Sequence, residues 1–481
     1  MSPSVEPFDE VKYKALMDGL ECSEIQKGNL EFSGRIDAEY YQKQYLLFEQ
    51  MVRKNNYKRM SEICHFIIGP FGSAYDTSNY VEKSKYRYIR GQDVKPFFVQ
   101  ETAPRFMAEQ DFLRLQKYAL KENDLLVSVV GTLGNACIVQ AKELPAIFSC
   151  KSTAVRADSV DPYYLLTYTN SKYGRKLLLR KERGAIQKGL NLDDLKTIDV
   201  PLFSDAFQKE IAWLIKKAQQ LKTSSQTLYK NAERMIEERI DVQANGQRSP
   251  VSFVKHLSET FLLSGRLDAE YYQPKYDSFD KLVRMFGGGY SFVGTEFEQV
   301  TEKCDRTRPE YPYVEIGDID VGSGSASFNI VATDQLPTNA KIMTQRGDVL
   351  VSTVRPNRGA VAILDSDDLL VSGAFTVLRQ KGNYKKEVLQ ALLRTDLYRD
   401  WLLRYNVGTS YPVIKDEDVL NMPIPMFSQE VQETIEAKIL ESFALRHKSK
   451  ELLEYAMQAV EMAIEQGEET ALDWLKEKVG E

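Results

Sequence analysis

Residues 33–42, "SGRIDAEYYQ", recur at 264–273 as "SGRLDAEYYQ", the single exchange being Ile36 for Leu267. A ten-residue match of this quality points to a repeat, and repeats outrank any reading of single residues. The similarity runs far beyond the block. "YRYIRGQDV" from Tyr86 matches "YPYVEIGDI" from Tyr311, and "DLLVSVVGTLGNACIV" from Asp124 matches "DVLVSTVRPNRGAVAI" from Asp348. "IFSCKSTAVR" pairs with "LVSGAFTVLR", and "DDLKTIDVPLFS" with "EDVLNMPIPMFS". The offset is 231 at the first block and 223 to 225 afterwards. A period that long excludes a solenoid of repeats of about 20–50 residues. It requires one large unit duplicated in tandem, with small length changes in loops.

Each copy follows the same local grammar. Short β-branched runs ("DLLVSVV", "DVLVSTV") lead through glycine-containing turns to "ACIV" and "AVAIL", the pattern of strand–turn–strand. Helical stretches follow, "DPYYLLTYTNSKYGRKLLLRKE" and "KKEVLQALLRTDLYRDWLLRYN", then a glycine-bearing loop and a strand ending at Pro201 or Pro425. Beyond those prolines the period changes. Ile211, Leu214, Ala218, Leu221, Ser225, Leu228, Ala232 and Met235 fall three and four apart, as do Ile435, Lys438, Ser442, Leu445, Ser449, Leu452, Ala456 and Ala459. About four heptads predict a helix of roughly 35–40 residues in each copy. One apolar stripe on so long a helix needs a partner, and the other copy provides it. The small residues in the seam allow close approach. Residues 241–255, "DVQANGQRSPVSFVK", read as the linker between copies.

Composition sets bounds on class. Hydrophobic residues at 43% suffice for packed cores, and no run reaches the roughly 18 apolar residues of a membrane span. The start, "MSPSVEPFDE", lacks the apolar centre of a signal peptide. The cysteines, Cys22, Cys64, Cys137, Cys150 and Cys304, are odd in number and form no C-x-x-C pair, which favours free thiols and a cytoplasmic setting. Net charge is −6, unevenly spread. Residues 51–200 hold 24 Lys and Arg against 16 Asp and Glu, whereas residues 281–425 hold 17 against 19. The basic first unit is compatible with phosphate contacts.

Catalytic patterns are near misses. Asp124, Gln140 and Lys142 have the spacing of a metal-dependent nuclease, but the second copy keeps only Asp348. "DPYY" at residues 161–164 lacks the second proline of an adenine methyltransferase motif, and "MFGGGY" at 285–290 ends in tyrosine where a cofactor loop needs glycine. His65, His256 and His447 are unmatched between copies, and no P-loop, G-x-S-x-G or H-E-x-x-H occurs. The expectation is a binding protein without catalysis of its own and without a metal site.

"GPFGSAYDTSNYVEKSKYRYIRGQDV", "NDLLVSVVGTLGNACIV" and "LNLDDLKTIDVPLF" resemble landmarks of a target recognition domain from the specificity (S) subunit of type I restriction–modification systems. Gln208 to Ile211 and Gln432 to Ile435 resemble that family's entry into its conserved helices. The second copy departs from the pattern, with "TEKCDRTRPE" for the "GPFGS" loop and "VRPNRG" for "VGTLGN". The resemblance implies an α+β chain: two tandem-repeated target recognition domains separated by two long helices that pair as an antiparallel coiled coil. It divides the chain into an N-terminal conserved segment (1–50), recognition domain 1 (51–204), a central helix (205–242), a linker with the second block (243–280), recognition domain 2 (281–427), a distal helix (428–466) and a C-terminal tail (467–481).

The implied function is reading of a bipartite double-stranded DNA target, one half-site per domain. Partners would be methyltransferase (M) subunits, two in number, and restriction (R) subunits, which bring S-adenosylmethionine, ATP and Mg. Basic residues in or beside loops, and one asparagine between two of them, are the expected DNA contacts: Lys83, Lys85, Arg90, Lys151 and Lys188 in the first domain; Arg306, Arg308, Arg355, Asn357 and Arg358 in the second. Arg35, Asp37, Tyr40 and Tyr41, with Arg266, Asp268, Tyr271 and Tyr272, combine tyrosine and arginine as interfaces do and are the expected subunit-docking residues. A two-domain protein-interaction scaffold and a metal-dependent nuclease are the other readings the residues leave open.

Overall fold

Strand Leu125–Ser128 is buried at every position, as its unbroken apolar run requires of a central strand. It pairs antiparallel with Ser152–Ala157 on one side and Ala136–Ile138 on the other. Cys64–Ile68 and Phe97–Phe98 form the edges of this five-stranded sheet. A second sheet carries Arg87–Ile89 between Arg105–Phe106 and Ala146–Phe148. The computed structural model that shows this describes residues 8–184, 186, 188–240 and 252–480.

The second copy repeats the plan. Val349–Ser352 is the buried central strand, flanked by Phe375–Gln380 and Val361–Ile363, with Phe297–Gln299 at the edge. Its companion sheet runs Asn329–Ala332, Glu310–Val314, Leu370–Ser372, Ala340–Met343. Even the buried charge is duplicated. Arg156 donates two hydrogen bonds to Asp124 (2.8 and 2.7 Å), and Arg379 does the same to Asp348 (2.9 and 2.8 Å).

The helical stretch after each set of sheets is broken once. Ser171 ends Pro162–Asn170 and caps Lys172–Arg180 by accepting from the Gly174 N–H. Thr395 plays the same part between Lys386–Arg394 and Asp396–Leu402, accepting from the Tyr398 N–H. Buried tyrosines tie these helices to the strand before the long helix. Tyr164 and Tyr168 donate to the Pro201 and Asp199 carbonyls at 2.6 Å, and Tyr398 donates to Pro423 at 2.8 Å.

Both long helices exist, as Asp205–Ile240 and Gln429–Gln466. Their small seam residues Ala218, Ser225, Ala232, Ser442, Ser449 and Ala456 are all buried. The chain forms two compact units whose limits are not those of the repeats. One holds residues 1–219 and 449–481; the other holds 220–448. Within the first, the Ser449 hydroxyl donates to the Ala218 carbonyl at 2.7 Å. Within the second, the Ser442 hydroxyl donates to the Ser225 carbonyl at 2.8 Å and receives the Ser225 hydroxyl at 2.9 Å. Seven residues forward on one helix match seven back on the other, so the pairing is antiparallel.

One expectation changes. Residues 467–481 are not a tail: Glu468–Val479 is a helix that buries Ala471 and Leu475, with Trp474 edge-on to Tyr455 at 5.7 Å. Of the linker, residues 241–251 lie outside the described residues.

Candidate nucleic-acid interface

In each unit three connecting turns are laced together by backbone hydrogen bonds at one end of the central strands. In the first unit Val129 donates to the Lys151 carbonyl (3.0 Å) and accepts from the Leu190 N–H (2.9 Å). A bridge from Val130 to Gly189 extends the contact. The second unit repeats it: Thr353 donates to Ala374 and accepts from Ile414, both at 2.9 Å, and Val354 bridges Val413. The laced residues Val129, Leu190, Thr353 and Ile414 are buried, whereas the basic residues on the same turns are exposed. Such a surface suits contact with a long ligand.

The expected DNA-contacting residues divide sharply by what they already touch. Lys151 and Lys188 lie on the laced turns of the first unit; Arg355, Asn357 and Arg358 lie on those of the second, and all five are exposed. Lys188 is ion-paired with Glu182. Among the described residues Lys83, Lys151, Arg355 and Arg358 have no ion pair. The rest are engaged. Arg90 forks onto Asp93 at 2.7–2.9 Å and also reaches the Ala103 carbonyl. Arg306, in left-handed backbone (φ 55°), donates to the Pro337 and Ala340 carbonyls at 3.0 Å. Arg308 pairs with Asp368 at 3.1 Å, and Lys85 lies 3.9 Å from Glu109. Charge in the sequence marks a residue as basic, but only geometry shows whether that charge is already matched.

Residues 296–454 match the family model described as "Type I restriction modification DNA specificity domain". The second unit carries a type I restriction–modification DNA specificity domain. The first unit shares its strand plan, its buried Asp–Arg pair and its laced turns, and is its duplicate. No curated protein sequence matches the chain. Among solved structures, the type I restriction–modification S subunit from M. genitalium is similar over 85% of this chain and 96% of its own, at 12% identity and a TM-score of 0.41. The HsdS subunit from Thermoanaerobacter tengcongensis is similar over 86% and 97%, at 14% identity and a TM-score of 0.29. The assignment rests on the family match and the internal repeat.

The duplicated ten-residue block is anchored to each unit by its arginine and its tyrosines, of which Tyr40, Tyr41 and Tyr272 are buried. Arg35 forks onto Asp37 at 2.5 Å, donates to the Glu182 carbonyl at 3.2 Å and stacks on Tyr40, whose other neighbours are Arg180 at 4.2 Å and Lys181 at 5.2 Å. Tyr41 donates back to the Arg35 carbonyl at 3.1 Å. The second domain copies this clamp: Arg266 forks onto Asp268, donates to Asn406 at 2.8 Å and stacks on Tyr271, which also faces Arg404, while Tyr272 donates to the Arg266 carbonyl at 3.1 Å. Arg35 and Arg266 hold the Asp37 and Asp268 carboxyls below their ordinary range. The block therefore holds the loop that follows Lys172–Arg180 in the first unit and Asp396–Leu402 in the second. Its one variable position, Ile36 (91% exposed) and Leu267 (71%), points outward beside the exposed Glu39 and Glu270. The repeated polar residues masked that signal in the sequence.

The nuclease-like triplet is not a constellation. Asp124 is closed by Arg156, Gln140 caps a short turn with Glu143, and Lys142 pairs with Glu101 at 2.5 Å. Among the described residues no cluster of His, Cys, Asp and Glu is arranged to hold a metal ion. Asp161 of "DPYY" accepts from the Tyr163 and Tyr164 N–H groups as a helix N-cap with Pro162 in the first turn. No helix among the described residues is long and apolar enough to cross a membrane.

Proposed function

We propose that this chain is the specificity subunit of a type I restriction–modification complex, a non-catalytic reader of a bipartite duplex. Each specificity domain takes one half-site through its laced turns, and the paired helices fix the gap between half-sites. Methyltransferase subunits, two in number, and restriction subunits dock on it and bring S-adenosylmethionine, ATP and Mg. The exposed apolar side chains Ile36 and Leu267, at equivalent places, suit two copies of one partner. One observation carries the reading: a DNA specificity domain matched at residues 296–454 in a chain that repeats the same unit, with diverged laced turns on a common frame.

Mapping methylated bases across the genome of host cells with and without the chain tests it. The expected result is a split sequence motif methylated only when the chain is present. Absence of such a motif, together with duplex binding that does not weaken steeply with salt, would instead mark a protein-interaction scaffold.

A further inference from the structure

At the start of its strand-connecting turn the second domain has Arg355 where the first has Gly131. Both sit in left-handed backbone, φ 53° and 88°. Glycine adopts that conformation without strain, whereas an arginine does not. The turn would fold more easily with the glycine of its duplicate. Something other than folding keeps the larger residue.

The surroundings hold that arginine outward. Its N–H donates to the Pro412 carbonyl at 2.7 Å, and its carbonyl accepts from the Arg358 N–H at 2.9 Å. Its guanidinium lies 5.3 Å from the centre of the Tyr411 ring, itself 46% exposed. Tyr411 stands on a loop braced by Asn406, whose side-chain oxygen accepts from the Gly408 and Val413 N–H groups at 2.8 and 3.0 Å. Gly408 is required there, since a Cβ would come within 2.1 Å of the Tyr411 carbonyl oxygen. A braced loop, an exposed ring and a strained backbone together aim one guanidinium that has no carboxylate partner among the described residues.

We propose that Arg355 is a specificity-determining residue of the second domain, presenting its planar donor fork to the O6 and N7 acceptors of a guanine in the major groove, and that Tyr411 is its positioning residue. This rests on the DNA-recognition reading above. A guanidinium matches those two acceptors bidentately, and an ammonium does not.

The test uses the full chain with its partner subunits in host cells, reading methylation base by base. It also measures binding of the assembled complex to a duplex carrying the wild-type site. Arg355→Gly is expected to fold at least as stably as wild type, to bind that duplex about ten- to hundredfold more weakly, and to relax one G·C position in one half-site. Arg355→Lys should relax the same position despite its charge. Tyr411→Ala should relax it partly, and Tyr411→Phe, which keeps the ring, should restore it. Uniform weakening with the motif unchanged would overturn the proposal in favour of a phosphate contact, and an unchanged motif with unchanged affinity would overturn it outright. A wild-type genome without any split motif would remove the recognition reading itself and the proposal with it.

Discussion

Replacing Arg35 by alanine separates two roles for the repeated block, a clamp within the domain and a surface for partners. The substitution removes the fork onto Asp37, the bond to the Glu182 carbonyl and the stack on Tyr40. The Asp37 side chain is 37% exposed, so its pair contributes about 1 kcal/mol rather than the full value of a buried one. The stack adds about 0.5–1 kcal/mol, and the carbonyl bond about 1 kcal/mol. A loss of about 2–3 kcal/mol follows, or a fall of roughly 5–10 °C in the melting temperature of a domain of this size. Denaturant unfolding of the full chain, with Asp37→Asn and the double variant completing a cycle, should return a coupling near 1 kcal/mol. An unchanged melting temperature combined with lost partner assembly would refute the clamp and return the block to docking alone.

The outward position should behave oppositely: Ile36→Asp with Leu267→Asp should leave stability within about 0.5 kcal/mol while abolishing co-purification with a methyltransferase subunit. Arg379→Ala leaves the Asp348 carboxylate buried with its fork gone and should cost about 3 kcal/mol in denaturant unfolding, with Arg156→Ala costing as much in the first domain. Asp37 and Asp268 have folded pKa values lowered by their arginines, so their contribution is present above the unfolded value of about 3.9 and is lost as pH falls through the lower folded values. Acid unfolding followed by circular dichroism should shift to higher pH in Asp37→Asn with Asp268→Asn. A heptad inserted after residue 220 of the central helix needs its counterpart after residue 446, the position the Ala218–Ser449 and Ser225–Ser442 contacts place opposite. Each insertion adds about 10 Å of helix, or about three base pairs, so methylation at the original spacing would sink the spacer role.

The architecture was legible because its signals are collective. Duplication, heptads and central strands each rest on many residues obeying one period, and the long helices, 36 and 38 residues, fall within the expected 35–40. Sites rest on few residues and on who stands beside them. Arg90 and Arg355 look alike in the sequence, yet one is closed by Asp93 three residues away and the other is open above Tyr411. The Arg90 pair lies within helical reach and was readable. The Arg355–Tyr411 pair spans 56 positions and depends on a loop whose bracing no period announces. Tyrosine and arginine serve interfaces and interiors by the same stacking chemistry, and only burial distinguishes them.

The mismatch between repeats and compact units follows from the helices. Where the central helix leaves its own repeat, Tyr229 and Glu233 meet Gln390 and Arg394 of the second specificity domain, at 3.3 and 3.8 Å. Burial raises the Glu233 pKa against the pull of Arg394. The end of the distal helix likewise serves the first domain. Glu465 takes Lys172 at 2.6 Å and Tyr173 at 2.8 Å, Asn55 donates to the Ile464 carbonyl at 3.1 Å, and Ser204 donates to Glu468 at 2.8 Å. Each specificity domain is therefore closed by a helix end belonging to the other repeat. Cutting the chain between repeats would uncover Ala456, Ala459, Val460 and Ala463, now fully buried, and leave the first domain without its cover. The laced turns take no part in this exchange. Their sequences can diverge, glycine to arginine at 131 and 355, without disturbing the contacts that close the domains.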